Sequence, residues 1–301
     1  MSEKNQLFAL LPVHSEPMVS IGLPTYNRPA GLRKALEWIL QQTYPNLEIL
    51  VSDNCSTNTE VQKITTEFAA RDNRIRVFRQ NENIGLENNF NYVYAQSLAP
   101  YFIWMSDDDF FDANYISDCV QFLEKNPDFV LCSGVAKYYS DDEYLFSEPM
   151  FRLDQQGFFA RLFKYFYSVE KNGNFYGVFR NNLLDAAPLG VHAGCDWSFM
   201  GKMAMLGKLT YIESTSYHRS ADGNSQTRQK MIEKFKLRGL KSLFFESYLA
   251  YSVAFNLFKD NAIRKIPCWT KQKILVIIIF AQINWRLLYK FIIKSTKRWW
   301  S

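Results

Sequence analysis

The sequence predicts an α/β domain whose central sheet is mostly parallel and is flanked by helices. The first half of the chain alternates short apolar runs with amphipathic segments, at the spacing of βαβ units. Such alternation is typical of right-handed crossovers and a parallel sheet. Of the 301 residues, 48% are hydrophobic, with 10 prolines and 13 glycines, which indicates a globular protein. A chain of this length fits one large domain, or one domain with an appendage.

Short apolar runs in the first half predict buried strands, and apolar residues that recur every three or four positions predict the helices between them. The predicted strands are Val19–Leu23, Leu47–Ser52, Ile75–Phe78, Tyr101–Met105 and Phe129–Val135. One predicted helix begins at Pro29, a residue suited to a first helical turn, and the others contain Val61 or span Leu86–Leu98 and Ala113–Lys125.

The second half of the chain is less regular. We predict a polar loop or flap over Ser140–Asp154, strands over Asn174–Phe179 and Leu209–Ile212, a helix over Asp196–Leu206, and long helical structure over Gln226–Leu257 with a break near Gly239.

Positive charge is concentrated at the C-terminal end. From Asn261 to Ser301 there are nine Lys or Arg and no Asp or Glu, which leaves 26 basic against 30 acidic residues before this segment. From Lys271 the apolar residues repeat at helical spacing, and a second stripe every fourth residue is basic: Arg286, Lys290, Lys294 and Arg298. A basic amphipathic helix of this kind lies in a membrane interface, so we expect membrane association over about 264–301. The alternative is a helix that packs on its own domain or on a second copy in a homodimer.

The compartment follows from cysteines and from apolar segments. The five cysteines form no C-x-x-C pair, which favours free thiols in a reducing compartment. Met1–Val19 carries no apolar run of signal-peptide length, and Ile274–Ile283 is too short to span a bilayer. We therefore expect a cytoplasmic protein, peripheral on the inner face of the cell membrane. The acidic body and the lack of a recognition motif argue against nucleic acid as a partner.

Ligands bind parallel α/β sheets beyond the carboxyl ends of the strands, so the polar residues that follow each predicted strand are candidates for a site. The strongest signal is Asp107–Asp109, three carboxylates directly after an apolar run. Adjacent carboxylates repel one another, and a divalent cation relieves that repulsion. Mg²⁺ and Mn²⁺ bind one or two carboxylates together with substrate phosphate oxygens. The alternative is a solvated acidic loop that caps the next helix.

Taken in order, these segments resemble the motifs of family 2 glycosyltransferases of the GT-A fold. The motifs are Val-Ser-Ile-Gly-Leu-Pro-Thr-Tyr-Asn-Arg at 19–28, Asp53, Asn83-Ile-Gly85 and Asp107–Asp109, and the resemblance covers about residues 18–215. It implies a nucleotide diphosphate sugar as donor, a Mn²⁺ or Mg²⁺ ion that bridges the diphosphate, and inversion at the anomeric carbon. Many members have Asp-x-Asp-Asp at the acidic motif, whereas this chain has Ser106 in the first place.

The resemblance assigns a role to individual residues. It implies that the nucleotide sugar is bound by Pro24, Thr25, Tyr26, Asn27, Arg28, Asp53, Asn83, Gly85, Asn89, Asp107 and Asp108. The implied metal ligands are Asp109, Asp107 and His218. Asp107 and Asp108 alternatively hold ribose hydroxyls or orient the waters on the metal, and His218 is alternatively a phosphate contact or a surface histidine. A carboxylate at Asp53 can accept the imino N–H of uracil or thymine, which favours a UDP or dTDP sugar; a CDP sugar would be read through its amine.

Inversion in one displacement requires a base that accepts the proton of the acceptor hydroxyl. Gly194-Cys195-Asp196-Trp197 opens an amphipathic helix and resembles the acidic motif of the family, with Cys195 in place of its usual Glu. We predict Asp196 as the base; the alternative is a helix N-cap, for which Asp is well suited. Trp197 is either a platform for an acceptor sugar ring or a core residue.

The sequence therefore predicts a GT-A catalytic domain over 1–222, with a nucleotide-sugar half over about 18–110 and an acceptor half over about 111–222, and a C-terminal helical region over 223–301. We expect a saccharide acceptor that is linked to lipid, in the synthesis of a surface glycan. Two other classes stay open. A metal-dependent nucleotidyltransferase would carry a glycine-rich, lysine-bearing loop after the first strand, which Gly22–Asn27 lacks. A non-catalytic protein that binds sugar nucleotides would tolerate the loss of Asp196.

Overall fold

The computed structural model describes residues 16–140, 143–184, 188–221, 228–239, 245–259, 272–274 and 276. Its strands are β1 Val19–Thr25, β2 Leu47–Asp53, β3 Ile75–Arg79, β4 Tyr101–Trp104, β5 Phe110–Phe111, β6 Phe129–Ser140, β7 Glu143–Ser147, β8 Val178–Arg180 and β9 Lys208–Ser220. Its α-helices are α1 Pro29–Leu40, α2 Thr59–Arg71, α3 Leu86–Ala95, α4 Tyr115–Lys125, α5 Phe158–Ser168, α6 Asn181–Leu184, α7 Cys195–Leu206, α8 Arg228–Lys234 and α9 Phe245–Lys259. A 3₁₀ turn covers Gly173–Tyr176.

The strands of the described residues form one mixed sheet in the order β3-β2-β1-β4-β8-β6-β9-β5, with β7 beside β6. The strands β3, β2, β1 and β4 are parallel. The pairs β4–β8, β6–β8, β6–β7 and β5–β9 are antiparallel. Strand order reverses between β1 and β4, which is the place where open α/β sheets bind ligands. The predicted fold class, a GT-A-type α/β domain with helices on a central sheet, is confirmed.

The core of the parallel part follows from its sequence pattern. Every residue of β1 and β2 is buried, as expected for strands covered by helices on both faces. Helix α1 begins at Pro29 and buries one stripe, which includes Leu32, Leu36 and Ile39. Helix α2 starts after Asn58, whose side chain accepts a hydrogen bond from the N–H of Glu60 at 3.0 Å. These contacts fix the loops that follow β1 and β2.

The second half differs from the prediction in three places. The loop or flap predicted over Ser140–Asp154 is wrong for Glu143–Ser147, which pairs with β6 as strand β7. Strand β9 continues to Ser220, well beyond the predicted end at Ile212. The strand predicted over Asn174–Phe179 is divided into a 3₁₀ turn and the short β8. Much of β7 and part of β9 is exposed, so burial of an apolar face does not define these strands, and they form through pairing with neighbours.

The described residues group into two compact units. The first unit holds the sheet and comprises the described residues within Met1–Arg152, Gly173–Leu189 and Leu209–Asp222. The second comprises those within Leu153–Asn172, Gly190–Lys208 and Gly223–Ser301. The first unit ends at Asp222, and the internal segments Leu153–Asn172 and Gly190–Lys208 group with the C-terminal helices.

The second unit is helical in its described residues. Helices α5 and α9 both contact α7, since a Cβ atom at Gly201 would lie 3.1 Å from the ring of Phe166 and 3.3 Å from Leu257. Helices α8 and α9 lie within or overlap the predicted helical region, and Gly239, where a break was predicted, has a φ of 58°. In the part of the chain that the structure describes, none of the helices has both the length and the apolar character of a membrane span. Almost all of the basic segment predicted over 264–301 lies outside the described residues.

Candidate functional site

The acidic segment Asp107–Asp109 begins three residues after β4 ends, against the first turn of α1. A Cβ atom at Gly31 would lie 2.2 Å from the backbone carbonyl oxygen of Asp107, so only glycine permits this approach. The N–H of Met105 donates to the carbonyl of Gly22 at 2.9 Å and continues the pairing with β1. The packing of α1 and β1 therefore places the acidic segment at the reversal point of the sheet.

Arg28 lies between two of the three carboxylates. Its Nη1 donates to Asp107 Oδ1 at 3.0 Å and to Asp108 Oδ2 at 2.7 Å. Burial disfavours the guanidinium charge, but the hydrogen bonds and charges of Asp108 and Asp107 outweigh burial and raise the pKa of Arg28. Thr25 Oγ1 donates to Asp107 Oδ2 at 2.7 Å. Burial nevertheless raises the pKa of the Asp107 carboxyl. The structure thus brings together Thr25, Arg28, Asp107 and Asp108, as predicted.

Asp109 points away from this group, toward the end of β9. The hydroxyl of Tyr217 donates to its Oδ2 at 2.5 Å, and the N–H of Ser220 donates to its Oδ1 at 2.9 Å. The guanidinium of Arg219 lies 3.9 Å from Oδ2. Burial raises the pKa of Asp109 to about 6, against the opposing charge of Arg219. Both carboxylate oxygens of Asp109 therefore stabilise β9.

His218 is close to the acidic segment in the sheet, because it is paired with Phe110. Its Nε2 lies 2.7 Å from Asp112 Oδ1, and its Nδ1 lies 3.1 Å from the hydroxyl of Tyr139. Its ring stacks on Phe110 at a centroid distance of 4.3 Å. Burial lowers the pKa of His218, although Asp112 opposes this shift. Both ring nitrogens have partners, so binding of a metal by His218 would require one of these hydrogen bonds to break.

Within the described part of the chain, no group of three or more His, Cys, Asp or Glu side chains is placed to hold a metal ion on its own. This is compatible with Mg²⁺ or Mn²⁺, because these ions are commonly bound by one or two carboxylates and take their other ligands from substrate phosphates and water. The carboxylate oxygens of Asp107–Asp109 have the hard donor chemistry that such an ion prefers. The residues therefore fit a divalent ion that binds together with a diphosphate.

At the next strand end, Asp53 forms an ion pair with Arg79, the residue opposite it on β3. Asp53 Oδ1 also accepts the N–H of Ser56 at 2.9 Å, and Arg79 Nη2 donates to the carbonyl of Ser56 at 2.9 Å. Arg79 was not among the predicted site residues. Its position directly after the predicted strand Ile75–Phe78 was the available signal.

Asn27 connects the loops after β1 and β2. Its backbone has a φ of 55°, a conformation that Asn tolerates better than most residues. Its side-chain oxygen accepts the N–H groups of Thr57 at 2.8 Å and Asn58 at 3.0 Å. The side chain of Asn27 thus shapes the predicted nucleotide site through the backbone.

The predicted residues Asn83, Gly85 and Asn89 also make structural contacts. Asn83 Oδ1 accepts hydrogen bonds from Asn54 Nδ2 and from the N–H of Gly85, both at 3.0 Å. The φ of Gly85 is 86°, which favours glycine. Asn89 is buried; its Oδ1 accepts from the Ser52 hydroxyl at 2.6 Å and its Nδ2 donates to the Ser52 carbonyl at 2.9 Å.

Two further predicted residues belong to β1 or follow it. Pro24 is buried and lies opposite Ser52 in the sheet. Tyr26 follows the strand and is 40% exposed, so its ring is accessible to a ligand. The strand ends of β1, β2, β3 and β4 thus carry the predicted nucleotide-sugar residues, as the parallel register requires.

Asp196 lies in the second unit, at the second residue of α7. Gly194 occupies the N-cap position with a φ of 74°, and no side chain caps this helix. The alternative that Asp196 is the N-cap is therefore wrong. Its Oδ2 instead accepts a hydrogen bond from Asn172 Nδ2 at 3.1 Å. Trp197, the next residue, is 9% exposed, which favours its role as a core residue.

Comparison with known proteins decides the family. The family model described as "Glycosyl transferase family 2" matches residues 20–186, just over half of the chain. The chain belongs to this family. The match includes the strand ends that carry Arg28, Asp53, Arg79 and Asp107, and it ends before Asp196. The predicted membership of family 2 is confirmed.

Curated relatives share part of the length of this chain. An uncharacterized glycosyltransferase of Rickettsia felis is 35% identical over 121 residues, which cover 39% of this chain and 19% of that protein. Glycosyltransferase GlyG of Streptococcus pneumoniae is 32% identical over 127 residues, which cover 42% of this chain and 40% of GlyG. The chain thus spans less than half the length of these relatives.

Solved structures show the same fold at lower identity. S. aureus TarS in complex with UDP-GlcNAc superimposes with a TM-score of 0.60 at 14% identity, over 89% of this chain and 73% of TarS. Mannosyltransferase PcManGT from Pyrobaculum calidifontis, in complex with GDP-Man and Mn²⁺, gives a TM-score of 0.54 at 15% identity, over 93% of each chain. These similarities support the GT-A fold of this chain.

Proposed function

We propose that the chain transfers a sugar from a nucleotide diphosphate sugar to a hydroxyl of a saccharide acceptor, with inversion at the anomeric carbon. The observation that carries the proposal is the group of Thr25, Arg28, Asp107 and Asp108 at the reversal point of the sheet. A guanidinium beside carboxylates can bind diphosphate oxygens directly, and the carboxylates bind them through a metal ion. The complexes of TarS with UDP-GlcNAc and of PcManGT with GDP-Man support this assignment.

The nucleotide base is assigned to the ends of β2 and β3. Asp53 is 2% exposed and ion-paired with Arg79, whose side chain is 42% exposed. A carboxylate oxygen of Asp53 accepts the imino N–H of uracil or thymine, and the partly exposed guanidinium of Arg79 contacts the base or its carbonyl oxygens. A UDP or dTDP sugar is therefore favoured, and a CDP sugar would pair its amine with the same carboxylate.

The metal is assigned to the acidic segment, with Asp109 and Asp107 as protein ligands and His218 as a further candidate. A bound Mg²⁺ or Mn²⁺ ion would neutralise the leaving diphosphate. Asp108 competes for this role, because 24% of its side chain is exposed, against 5% for Asp109. Arg28 would add a second positive charge beside the same phosphates.

Asp196 is assigned as the base. The acceptor oxygen forms a bond to the anomeric carbon while the bond from that carbon to the diphosphate oxygen breaks. The proton of the acceptor hydroxyl passes to the Asp196 carboxylate, and the electron pair of the broken bond leaves with the nucleoside diphosphate. Attack on the face opposite the leaving group inverts the anomeric centre, by the geometry that also governs inverting hydrolysis.

A binding and turnover screen tests the donor assignment. Calorimetry would compare UDP, dTDP, CDP and GDP with and without MnCl₂, and product release would be followed with UDP-GlcNAc, UDP-glucose, dTDP-rhamnose and GDP-mannose. We expect UDP or dTDP to bind most tightly, with higher affinity when Mn²⁺ is present. Equal affinity for all four nucleotides would contradict the role of Asp53, and affinity that Mn²⁺ leaves unchanged would contradict the metal assignment.

The acceptor is proposed to be a lipid-linked saccharide at the inner membrane face, and the protein to be peripheral there. The support is the basic amphipathic pattern of about 264–301 in the sequence. Each Lys or Arg near an anionic leaflet contributes about 1 kcal/mol. Truncation before Lys271 should release the protein from phosphatidylglycerol-containing liposomes and leave nucleotide binding intact. Full cosedimentation of the truncated protein would contradict membrane binding, and a change from dimer to monomer would favour the homodimer alternative.

A further inference from the structure

Asn172 is a buried residue in an unusual backbone conformation. Its φ is 61°, in the left-handed region, and it is 2% exposed. Asn adopts this conformation at lower cost than most residues with a side chain, but less readily than glycine. Residues held in this region often lie at functional sites, where the surrounding contacts fix them. The side chain of Asn172 therefore needs a specific explanation.

The side chain amide of Asn172 lies between Tyr165 and Asp196. The hydroxyl of Tyr165, a fully buried residue of α5, donates to Asn172 Oδ1 at 3.1 Å. Asn172 Nδ2 donates to Asp196 Oδ2, also at 3.1 Å. An amide presents an acceptor at one end and donors at the other. Because Tyr165 occupies the acceptor end, the NH₂ group is turned toward the carboxylate of Asp196.

The backbone on each side of this contact is fixed by close packing. The N–H of Gly173 donates to Glu148 Oε2 at 2.9 Å, and a Cβ atom at Gly173 would lie 2.5 Å from that oxygen. At the start of α7, a Cβ atom at Gly194 would lie 2.7 Å from Val253. Gly173 directly follows Asn172, and Gly194 lies two residues before Asp196. Their close packing leaves the backbone on each side of the contact little freedom to move.

We propose that Asn172 is a positioning residue that orients the Asp196 carboxylate toward the acceptor hydroxyl. This inference rests on the proposed role of Asp196 as the base. A neutral amide fixes the direction of the carboxylate without adding a charge, whereas a cation in its place would favour the ionised carboxylate and weaken it as a proton acceptor. Tyr165 holds the amide in the orientation that this role needs.

The test uses Asn172→Gly in the full chain, because glycine keeps the left-handed backbone and removes only the amide. Turnover is measured as nucleoside diphosphate release from the sugar nucleotide of the panel above that the wild-type protein uses. We expect kcat to fall by about 10²-fold, which is the loss expected when a catalytic group is misplaced by about 1 Å. The KM for the donor should stay unchanged. Lys164→Ala is the matched control, since Lys164 lies on α5 and its side chain is 40% exposed; its kcat should equal that of the wild type.

A double-mutant cycle separates this inference from the proposed function. If Asn172 acts through Asp196, adding Asn172→Gly to Asp196→Asn should lower kcat no further. Wild-type activity of Asp196→Asn would overturn the proposed base itself. An inactive Asp196→Asn together with an unchanged kcat of Asn172→Gly would overturn only the positioning role. A raised donor KM in Asn172→Gly would also overturn it, because that result indicates general damage.

A second variant keeps the inference testable if Asn172→Gly does not fold, as judged by circular dichroism. Tyr165→Phe removes one hydroxyl and leaves the ring packing in place. It frees the amide to rotate, so we expect kcat to fall by about 3-fold to 10-fold with an unchanged donor KM, the scale of one hydrogen bond. An unchanged kcat in folded Tyr165→Phe would overturn the positioning role.

Discussion

At the strand ends of the first unit, charged side chains hold one another in place, whereas in the second unit the Asp196 carboxylate accepts a hydrogen bond from a neutral amide. Arg28 contacts Asp107 and Asp108, and Arg79 is paired with Asp53. Asn172 Nδ2 donates to Asp196 Oδ2, and this contact brings no charge to the carboxylate. The difference matches the two tasks that we propose. A donor diphosphate is bound through charge, while a base has to keep its capacity to accept a proton.

The largest effect is expected in the second unit, from Asp196→Asn. The change keeps the size of the side chain and an oxygen that can accept from Asn172, but an amide does not accept the acceptor proton. We expect kcat to fall by about 10²–10⁴-fold, with donor affinity unchanged. Asp196 does not occupy the N-cap position of α7, so the melting temperature should stay the same. If Asp196→Asn keeps a turnover near the wild-type level, Asp196 is not the base. The difference between the contacts of the two units then has no bearing on catalysis.

The next largest effect is expected from Asp109→Ala, with Asp108→Ala as its matched control in the same segment. Loss of Asp109 removes a buried carboxylate from Tyr217, Ser220 and Arg219, and breaking a buried ionic contact costs roughly 3 kcal/mol or more. Asp108→Ala should leave the free energy of unfolding nearly unchanged, because Asp108 is more exposed. Urea denaturation measures this difference.

The same two variants sharpen the metal assignment. With Asp109 as a metal ligand, Asp109→Ala removes transfer and the tightening of nucleotide diphosphate binding by Mn²⁺, and Asp108→Ala retains part of both. If calorimetry shows that Asp108→Ala loses the tightening by Mn²⁺ and Asp109→Ala keeps it, the metal ligand is Asp108. Asp109 then has a structural role on β9.

The smallest effect is expected on strand β3, where two arginines form a matched pair. Arg79 pairs with Asp53 and Arg76 pairs with Glu48, and their side chains are 42% and 41% exposed. Only Arg79 lies at the carboxyl end of the strand. Arg79→Met should weaken UDP binding by about 10-fold, which corresponds to about 1.4 kcal/mol, whereas Arg76→Met should leave it unchanged. If calorimetry shows an equal loss of UDP affinity in both variants, the effect comes from the strand as a whole and not from the position of Arg79.

Much of the donor region could be predicted because parallel strands end at one edge of a sheet. Arg28, Asp53 and Asp107 each follow an apolar run, and the fold brings these runs into register. Arg79 was missed because a lone arginine has no spacing signal and its partner lies 26 residues away.

The contacts of Asp109 and Asn172 could not be derived from local pattern. The inward direction of Asp109 depends on the position of β9, more than 100 residues later in the chain. Asn172 follows helix α5 in an irregular segment, and its contact with Asp196 exists only because α5 and α7 pack together. Strand β7 lacks apolar alternation and forms through its pairing with β6.

The pairing of β1 with β4 also affects how the protein is made. About 80 residues separate the paired positions Val19 and Tyr101, and β2, α2, β3 and α3 are synthesised between them. The entropic cost of closing such a loop is met before the contacts form, which slows folding. A nascent chain that ends before β4 contains Arg28 but neither of its carboxylate partners. Sugar nucleotide added during translation should therefore stabilise only chains that have passed the acidic segment.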